Sequence, residues 1–424
     1  MSESKHVDAT SAGGDLRRSL GLFDAVVIGL GSMIGAGIFA ALGPAARAAG
    51  AGLLWGLALA AVVAYCNATS SARLAARYPA SGGTYVYGRE RLGDFWGYLA
   101  GWGFVVGKTA SCAAMALTFG AYAFPGHAPP AAVAAVVGLT AVNYAGVHKS
   151  AWVTRLIVAV VLGVLAAVVA AVFTSGTASA EALRPVSAHP AGVIQAAGLL
   201  FFAFAGYARI ATLGEEVRDP ARTVPRAISL GLGITLAVYA LVAVAALAAL
   251  GPRRLASASA PLSEAVRAAG TTWLVPVVQV GAAVAALGSL LALVLGVSRT
   301  TFAMARDRHL PRPLAAVHPR FRVPHRAELA IGVVVAVLAA TVDLRGAISF
   351  SSFAVLIYYA IANASALRLG HDEGRPYRVI PLTGLLGCVV LAFAMPLSAV
   401  LSGVAVLGIG VAAYAIRRLG ARRF

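Results

Sequence analysis

Long apolar stretches separated by short polar segments recur along the whole of this 424-residue chain. A helix that crosses the roughly 30 Å hydrocarbon layer of a bilayer needs about 20 apolar residues. Ala, Gly and Ser are dense in nearly all of the stretches, which is typical of helices that pack closely in lipid. We therefore predict twelve transmembrane spans, near 22–43, 50–72, 94–120, 128–146, 151–173, 191–213, 228–250, 271–298, 328–343, 347–368, 377–395 and 397–416.

The composition supports a membrane protein and excludes most soluble classes. Hydrophobic residues make up 60% of the chain and charged residues only 12%, whereas a soluble domain carries about a quarter charged residues. Cys66, Cys112 and Cys388 lie within apolar stretches and lack the spacing of a metal site or a disulfide framework. A soluble enzyme, a disulfide-rich secreted domain and a disordered chain are therefore excluded.

The net charge of +18 is distributed unequally between the two sides of the predicted bundle. With a cytoplasmic N-terminus, 26 of the 34 Lys and Arg residues fall on the cytoplasmic side and 6 on the opposite side. Basic residues favour the cytoplasmic side, so we predict a cell (plasma or inner) membrane protein with both termini cytoplasmic. The charge predicts attraction to anionic lipid headgroups. It does not predict nucleic-acid binding, because it is dispersed over seven short segments.

Glycine interrupts two of the predicted spans at corresponding places. Span 1 contains three glycines in the seven residues 31–37, and span 6 contains Gly206 within the segment 201–209. Glycine weakens a helix by about 1 kcal/mol relative to alanine. A single glycine cluster is as well explained by close helix packing, but paired interruptions in the two halves indicate the substrate site of a transporter. Freed amides there can bind a carboxylate, and freed carbonyls can bind an ammonium group or a metal cation.

Four stretches follow the pattern of a known family: Gly31–Phe39, Tyr78–Tyr87 with Gly101-Trp102, Phe201–Ile228 and Ser298–Pro311. Over nearly its whole length the chain resembles the amino acid–polyamine–organocation (APC) superfamily, and within it the permeases related to cationic amino acid transporters. The resemblance implies an all-α membrane protein with inverted five-helix repeats of the leucine-transporter type (spans 1–5 and 6–10) and two extra helices. The implied divisions are a cytoplasmic tail (1–20), the first repeat (21–175), the second repeat (190–369), spans 11 and 12 (376–416) and a basic cytoplasmic tail (417–424).

The resemblance also assigns residues to the substrate site, and it implies no cofactor, metal or catalytic residue. The substrate α-carboxylate is expected against the backbone amides around Ala36, and the α-ammonium against carbonyls near Met33, Phe202 and Ala205. Phe202 matches the position of an aromatic gate, for which ordinary packing is the alternative. The predicted substrate-binding residues are Ser32, Met33, Ile34, Gly35, Ala36, Gly37, Lys108, Phe202, Phe204, Ala205 and Gly206.

Lys108 and Arg209 lie within predicted spans, whereas no Asp or Glu occurs in the middle of any span. A charge at membrane depth costs at least about 2.5–3.5 kcal/mol and usually faces a cavity or a partner. Proton-coupled relatives often carry a lysine in span 5, where the resemblance places Val161. We hypothesise that Lys108 takes this coupling role and that Arg209 is a fixed countercharge, because Lys deprotonates more readily than Arg. The alternatives are that Lys108 caps a carbonyl and that Arg209 pairs with Glu215.

These observations predict a secondary active amino acid transporter that works by alternating access. We expect it to be sodium-independent and either proton-coupled or an exchanger, and two cations in the pocket favour a substrate with a neutral or acidic side chain. An amine or polyamine transporter of the same fold is the alternative. A channel should show a polar ring or a selectivity-filter repeat, and a membrane enzyme should show acids or histidines clustered at depth. The sequence contains neither pattern, and it does not predict the oligomeric state.

Overall fold

A computed structural model describes residues 20–78, 82–146, 151–184, 189–207, 210, 217–370 and 373–421. The secondary structure of these residues is helical, apart from one isolated β-bridge between Leu20 and Val217. The α-helices are α1 (Leu22–Met33), α2 (Ala36–Ala40), α3 (Leu42–Ala49), α4 (Leu53–Arg77), α5 (Thr84–Leu92), α6 (Asp94–Ala123), α7 (Ala128–Tyr144), α8 (Ala151–Thr174), α9 (Pro190–Phe204), α10 (Pro220–Ser257), α11 (Pro261–Ala268), α12 (Val275–Arg306), α13 (His325–Thr341), α14 (Leu344–Leu367), α15 (Val379–Phe393) and α16 (Leu397–Ala421).

Nine stretches of the described helices are long and apolar enough to cross a membrane. The other three predicted spans coincide with the shorter helices α7, α13 and α15, which have 17, 17 and 15 residues. The prediction of an all-helical protein with many membrane helices is confirmed, and the count of twelve spans stays a prediction. Some helices extend beyond the apolar stretches, because backbone hydrogen bonding continues into polar ends. Thus α10 begins at Pro220 and α12 ends at Arg306.

Helices α6 and α14 form the centre of the bundle. In their most apolar windows 78% and 83% of the residues are buried, compared with 22% in α16. The two helices approach closely at small residues, since a Cβ added to Gly107 would lie 2.9 Å from the Cβ of Ala354. The hydroxyl oxygens of Ser111 and Ser351, 2.6 Å apart, join the same helices. The interrupted helices pack against this centre, with α2 against α6 and α9 against α14.

Candidate functional site

The helix of span 1 is interrupted at Ile34 and Gly35, between α1 and α2. Ile34 has the non-helical backbone angles φ −81° and ψ 60°. Gly35 lies against α12, where a Cβ at its position would be 2.0 Å from the Oγ of Ser289. The chain resumes as α2, and the amides in the first turn of a helix lack an intrahelical acceptor. The predicted interruption of span 1 is therefore confirmed.

The helix of span 6 ends at Phe204 and continues as a 3₁₀ turn over Ala205–Tyr207. This turn touches the first interruption, because a Cβ at Gly206 would lie 2.1 Å from the carbonyl oxygen of Ser32. A Cβ at Gly37 would likewise lie 2.7 Å from the Cα of Ala203. The two interruptions are thus in backbone-to-backbone contact. Residues 33–43 are all buried, so this side of the contact is closed to solvent.

A buried tyrosine of α10 joins the carbonyls of both interrupted helices. The hydroxyl oxygen of Tyr239 lies 2.5 Å from the carbonyl oxygen of Met33 and 3.1 Å from that of Ala203. A phenol has one hydrogen to donate, so the two carbonyls share it. Tyr239 is fully buried, and its ring packs edge-on against Phe204 at 5.1 Å. The hydroxyl therefore stabilises the contact between the interruptions in this conformation.

Lys108 contacts the second interruption from the middle of α6. Its Nζ is 3.4 Å from the carbonyl oxygen of Ala205, to which the hydroxyl of Tyr359 also donates at 3.2 Å. Lys108 is only 7% exposed, and none of the ion pairs among the described residues includes it. A buried ammonium without a counterion is costly. The arrangement therefore offers both a capped carbonyl and a positive charge that an anion can neutralise.

The remaining predicted site residues take different positions around this contact. Ser32 uses its hydroxyl within the helix, donating to the carbonyl oxygen of Ile28 at 3.1 Å. Phe202 is 7% exposed, whereas Phe204 is fully buried against Tyr239. Arg209 lies outside the described residues, as does Glu215. The structure brings the other predicted residues to the two interruptions: Ser32, Met33, Ile34, Gly35, Ala36, Gly37, Lys108, Phe202, Phe204, Ala205 and Gly206.

Comparison with known proteins identifies the family. The sequence model described as "Amino acid permease" matches residues 20–416. The chain belongs to this family. The permease is 78% identical to an uncharacterized transporter of Mycobacterium tuberculosis over 410 residues, which are 96% of this chain and 93% of the relative.

Relatives with more specific names are more distant from this permease. The branched-chain amino acid permease BcaP of Bacillus subtilis is 27% identical, over 91% of this chain and 90% of its own length. The cationic amino acid transporter 7, chloroplastic, of Arabidopsis thaliana is 30% identical, over 88% of this chain and 70% of its own length. The family and these names are those of transporters rather than enzymes. The permease is thus a multi-pass membrane protein that transports amino acids, and the resemblance found in its sequence is confirmed.

Two of the four stretches that carry the resemblance meet at one end of the permease. Tyr85, in the stretch 78–87, donates its hydroxyl to Oδ2 of Asp307, in the stretch 298–311, at 2.7 Å. The same hydroxyl oxygen is 2.8 Å from Nδ1 of His309. Burial raises the pKa of Tyr85 well above its ordinary value, so the hydroxyl remains a donor at physiological pH. These contacts hold α5 against the loop that follows α12.

A second polar cluster at this end surrounds Glu373. Oε1 of Glu373 accepts from Nε of Arg77 at 3.0 Å and from Nη2 of Arg91, and Oε2 accepts from the amide of Gly370 at 2.7 Å. The hydrogen bond from Arg91, followed by those from Gly370 and Arg77, lowers the pKa of Glu373 to about 2. The carboxylate therefore connects the end of α4, helix α5 and the segment after α14 over the physiological pH range.

Sequence reasoning did not identify Tyr239, Tyr359 or Ser289 as part of the site. A tyrosine in the middle of an apolar span indicates a polar contact inside the bundle, because a buried phenol needs a hydrogen-bond partner. Tyr239 and Tyr359 both lie in the middle of such spans, so the sequence could have indicated them. Ser289 shows no such signal, since it is one of many small residues in its helix. Only the packing of α12 against Gly35 places its buried hydroxyl at the site.

Proposed function

We propose that this permease is a sodium-independent secondary active transporter that moves amino acids by alternating access, either coupled to protons or as an exchanger. The observation that carries the proposal is the direct contact between the two helix interruptions. Paired interruptions at membrane depth are the usual place of a transporter's substrate and ion sites. The proposal includes twelve spans with both termini cytoplasmic, inverted repeats at 21–175 and 190–369, and two further helices at 376–416.

In this proposal the backbone of the interruptions recognises the common part of an amino acid. The substrate carboxylate binds the amides of Gly35, Ala36 and Gly37, where the start of α2 carries partial positive charge. The ammonium group binds the carbonyls of Met33 and Ala205, the latter after the Lys108 ammonium has moved away from it. Those carbonyls now accept hydrogen bonds from side chains of α6, α10 and α14. Substrate binding therefore exchanges hydrogen bonds within the protein for hydrogen bonds to the substrate.

Phe202 is the proposed aromatic gate over this site. It is 7% exposed, whereas its neighbours Phe201 and Phe204 are completely buried. Phe201 and Phe204 also make edge-on ring contacts, with Tyr359 at 5.7 Å and Tyr239 at 5.1 Å. The ring of Phe202 is thus the one of the three that can rotate with the smallest loss of packing.

Lys108 is the proposed coupling residue and the main determinant of the substrate side chain. A cationic side chain placed next to a buried ammonium would be repelled, and the ion pairs of the described residues include no carboxylate beside Lys108 that could compensate. We therefore propose a substrate with a neutral or acidic side chain. This proposal agrees with the name of the Bacillus relative, a branched-chain amino acid permease, and differs from the cationic substrates in the names of the plant relatives.

The substrate class can be tested by a thermal-shift panel of the twenty amino acids and common polyamines, at two pH values with and without sodium. Stabilisation by neutral or acidic amino acids, independent of sodium, is the expected result. Stabilisation by polyamines alone would favour the alternative, an amine transporter of the same fold. Stabilisation that requires sodium would contradict the proposed ion independence.

The coupling role can be tested with Lys108→Met and Lys108→Arg in proteoliposomes, with uptake measured against pH. Lys108→Met should lose most uptake, because the charge is gone. Lys108→Arg keeps a charge that does not titrate, so its remaining uptake should vary less with pH than that of the wild type. Unchanged uptake and pH dependence in both variants would refute a coupling role for Lys108.

A further inference from the structure

A glutamate at the start of α13 is completely buried. Glu328 lies in the first turn of this helix and is 0% exposed. Neither of its carboxylate oxygens has a hydrogen-bond partner among the described residues. Its position at the edge of an apolar stretch suggests a residue at the membrane surface, yet the packing of neighbouring helices encloses it.

Helices α7, α6 and α12 pack against α13. A Cβ at Gly332, one turn further along α13, would lie 2.7 Å from the side chain of Thr140 on α7. Because α7 ends and α13 begins at the same end of the bundle, Asn143 lies at the level of Glu328. Asn143 is itself buried, and its Nδ2 lies 3.4 Å from the carbonyl oxygen of Leu291 on α12. The carboxyl is therefore enclosed where three helices meet.

Several charged and titratable groups lie at this end of the neighbouring elements. Arg299 on α12 is close enough to act on Glu328 electrostatically, but it is exposed and forms no ion pair with it. Other groups at this end are Tyr144 on α7, Asp94 and Tyr98 on α6, Arg312 and His318 in the segment between α12 and α13, and His325 and Arg326 on α13 itself.

The ionised form of this carboxyl is unfavourable in the enclosed state. A buried carboxylate without donors costs far more than a buried neutral carboxyl. The start of a helix favours an anion by only about 0.3–1 kcal/mol, which does not offset that cost. Water or Arg299 could stabilise the carboxylate only if the ends of these helices moved apart.

We infer that Glu328 is a proton-binding site, whose carboxyl is neutral in this conformation and releases its proton when the loop ends of α7, α12 and α13 separate. The proton would then be exchanged with the side of the membrane on which these helix ends lie. For its part in transport, this inference rests on the proposed function. The existence of a protonated carboxyl does not depend on it.

Infrared spectroscopy of the purified permease tests the protonation state directly. We expect a carbonyl band of a protonated carboxyl at neutral pH that shifts in deuterated water and is lost in Glu328→Gln. Absence of the band from the wild type, or its persistence in Glu328→Gln, would overturn the inference. The spectra are recorded first in a choline salt and then in a sodium salt. Loss of the band in sodium would also overturn the inference, because the site would then hold sodium. If Glu328→Gln does not fold, Glu328→Asp should shift the band without removing it.

Thermal unfolding against pH provides a second test with a matched control. Glu264 occupies the same position in the first turn of α11, but it is partly exposed. Ionisation of Glu328 is disfavoured in the folded state, so the wild type should lose stability relative to Glu328→Gln as the pH rises. The expected change in the Tm difference is about 2 °C per pH unit. Glu264→Gln should parallel the wild type, and parallel curves for wild type and Glu328→Gln would contradict the inference.

The transport consequence can be measured separately. In proteoliposomes Glu328→Gln should exchange substrate at equal pH on both sides but should not respond to a pH gradient. A normal response to the gradient would refute coupling through Glu328. Absence of amino acid transport by the wild type would refute the proposed function instead, and the infrared result would still decide whether Glu328 binds a proton.

Discussion

Replacing Tyr239 by Phe removes one hydroxyl from the contact between the two helix interruptions and leaves the ring packing in place. The carbonyls of Met33 and Ala203 then lose the donor that they share. An unsatisfied buried polar group costs about 1–3 kcal/mol. The Met33 carbonyl still accepts a hydrogen bond from the amide of Gly35 at 2.8 Å, which favours the lower part of that range. We expect the free energy of unfolding to fall by about 1–2 kcal/mol.

The assay is thermal unfolding in detergent, followed by intrinsic fluorescence, with uptake measured on the same preparations. A loss of this size corresponds to a Tm lower by about 1–2 °C in a chain of this length. Tyr65→Phe is the matched control, because Tyr65 is 49% exposed on α4 and should unfold as the wild type does. If Tyr239→Phe and Tyr65→Phe both unfold at the wild-type temperature, the hydroxyl makes no net contribution and the reasoning is wrong.

Two further predictions concern other contacts. Gly206→Ala places a Cβ 2.1 Å from the backbone oxygen of Ser32, so unfolding assays should show a loss of about 1–3 kcal/mol together with lost uptake. Gly233→Ala, which meets open space within α10, should leave uptake unchanged and raise stability by up to about 1 kcal/mol, and wild-type behaviour of Gly206→Ala would refute the close contact. For Glu373 the folded-state pKa of about 2 lies below the ordinary 4.5, so its stabilisation is complete above pH 4.5 and is lost as the pH falls towards 2. The Tm difference between wild type and Glu373→Gln should therefore be constant from pH 6 to 9 and narrow below pH 4.5. No difference at pH 7 would refute the cluster, and Glu181→Gln, at an exposed position, is the control.

Much of the site could be predicted because its main features are local in sequence. Glycine weakens a helix wherever it packs, so the three glycines of residues 31–37 and Gly206 marked the two interruptions in the sequence. Lys108 could be predicted as a candidate site residue for a similar reason, because a charge within an apolar stretch is costly in any fold. The partners of these groups could not be predicted. The carbonyl of Ala205 meets Lys108 and Tyr359 only because α6 and α14 both reach the second interruption.

The sequence by itself determined the membrane-spanning helices and the two places where they break, because hydrophobicity and glycine content act over a few neighbouring residues. Only the tertiary structure decided that the two interruptions touch and that Tyr239 joins their carbonyls. It also decided that Glu328, which begins a predicted span in the sequence, is buried where α7, α12 and α13 meet. Burial of a polar group depends on which helices cover it, and helix packing brings together residues that are far apart along the chain.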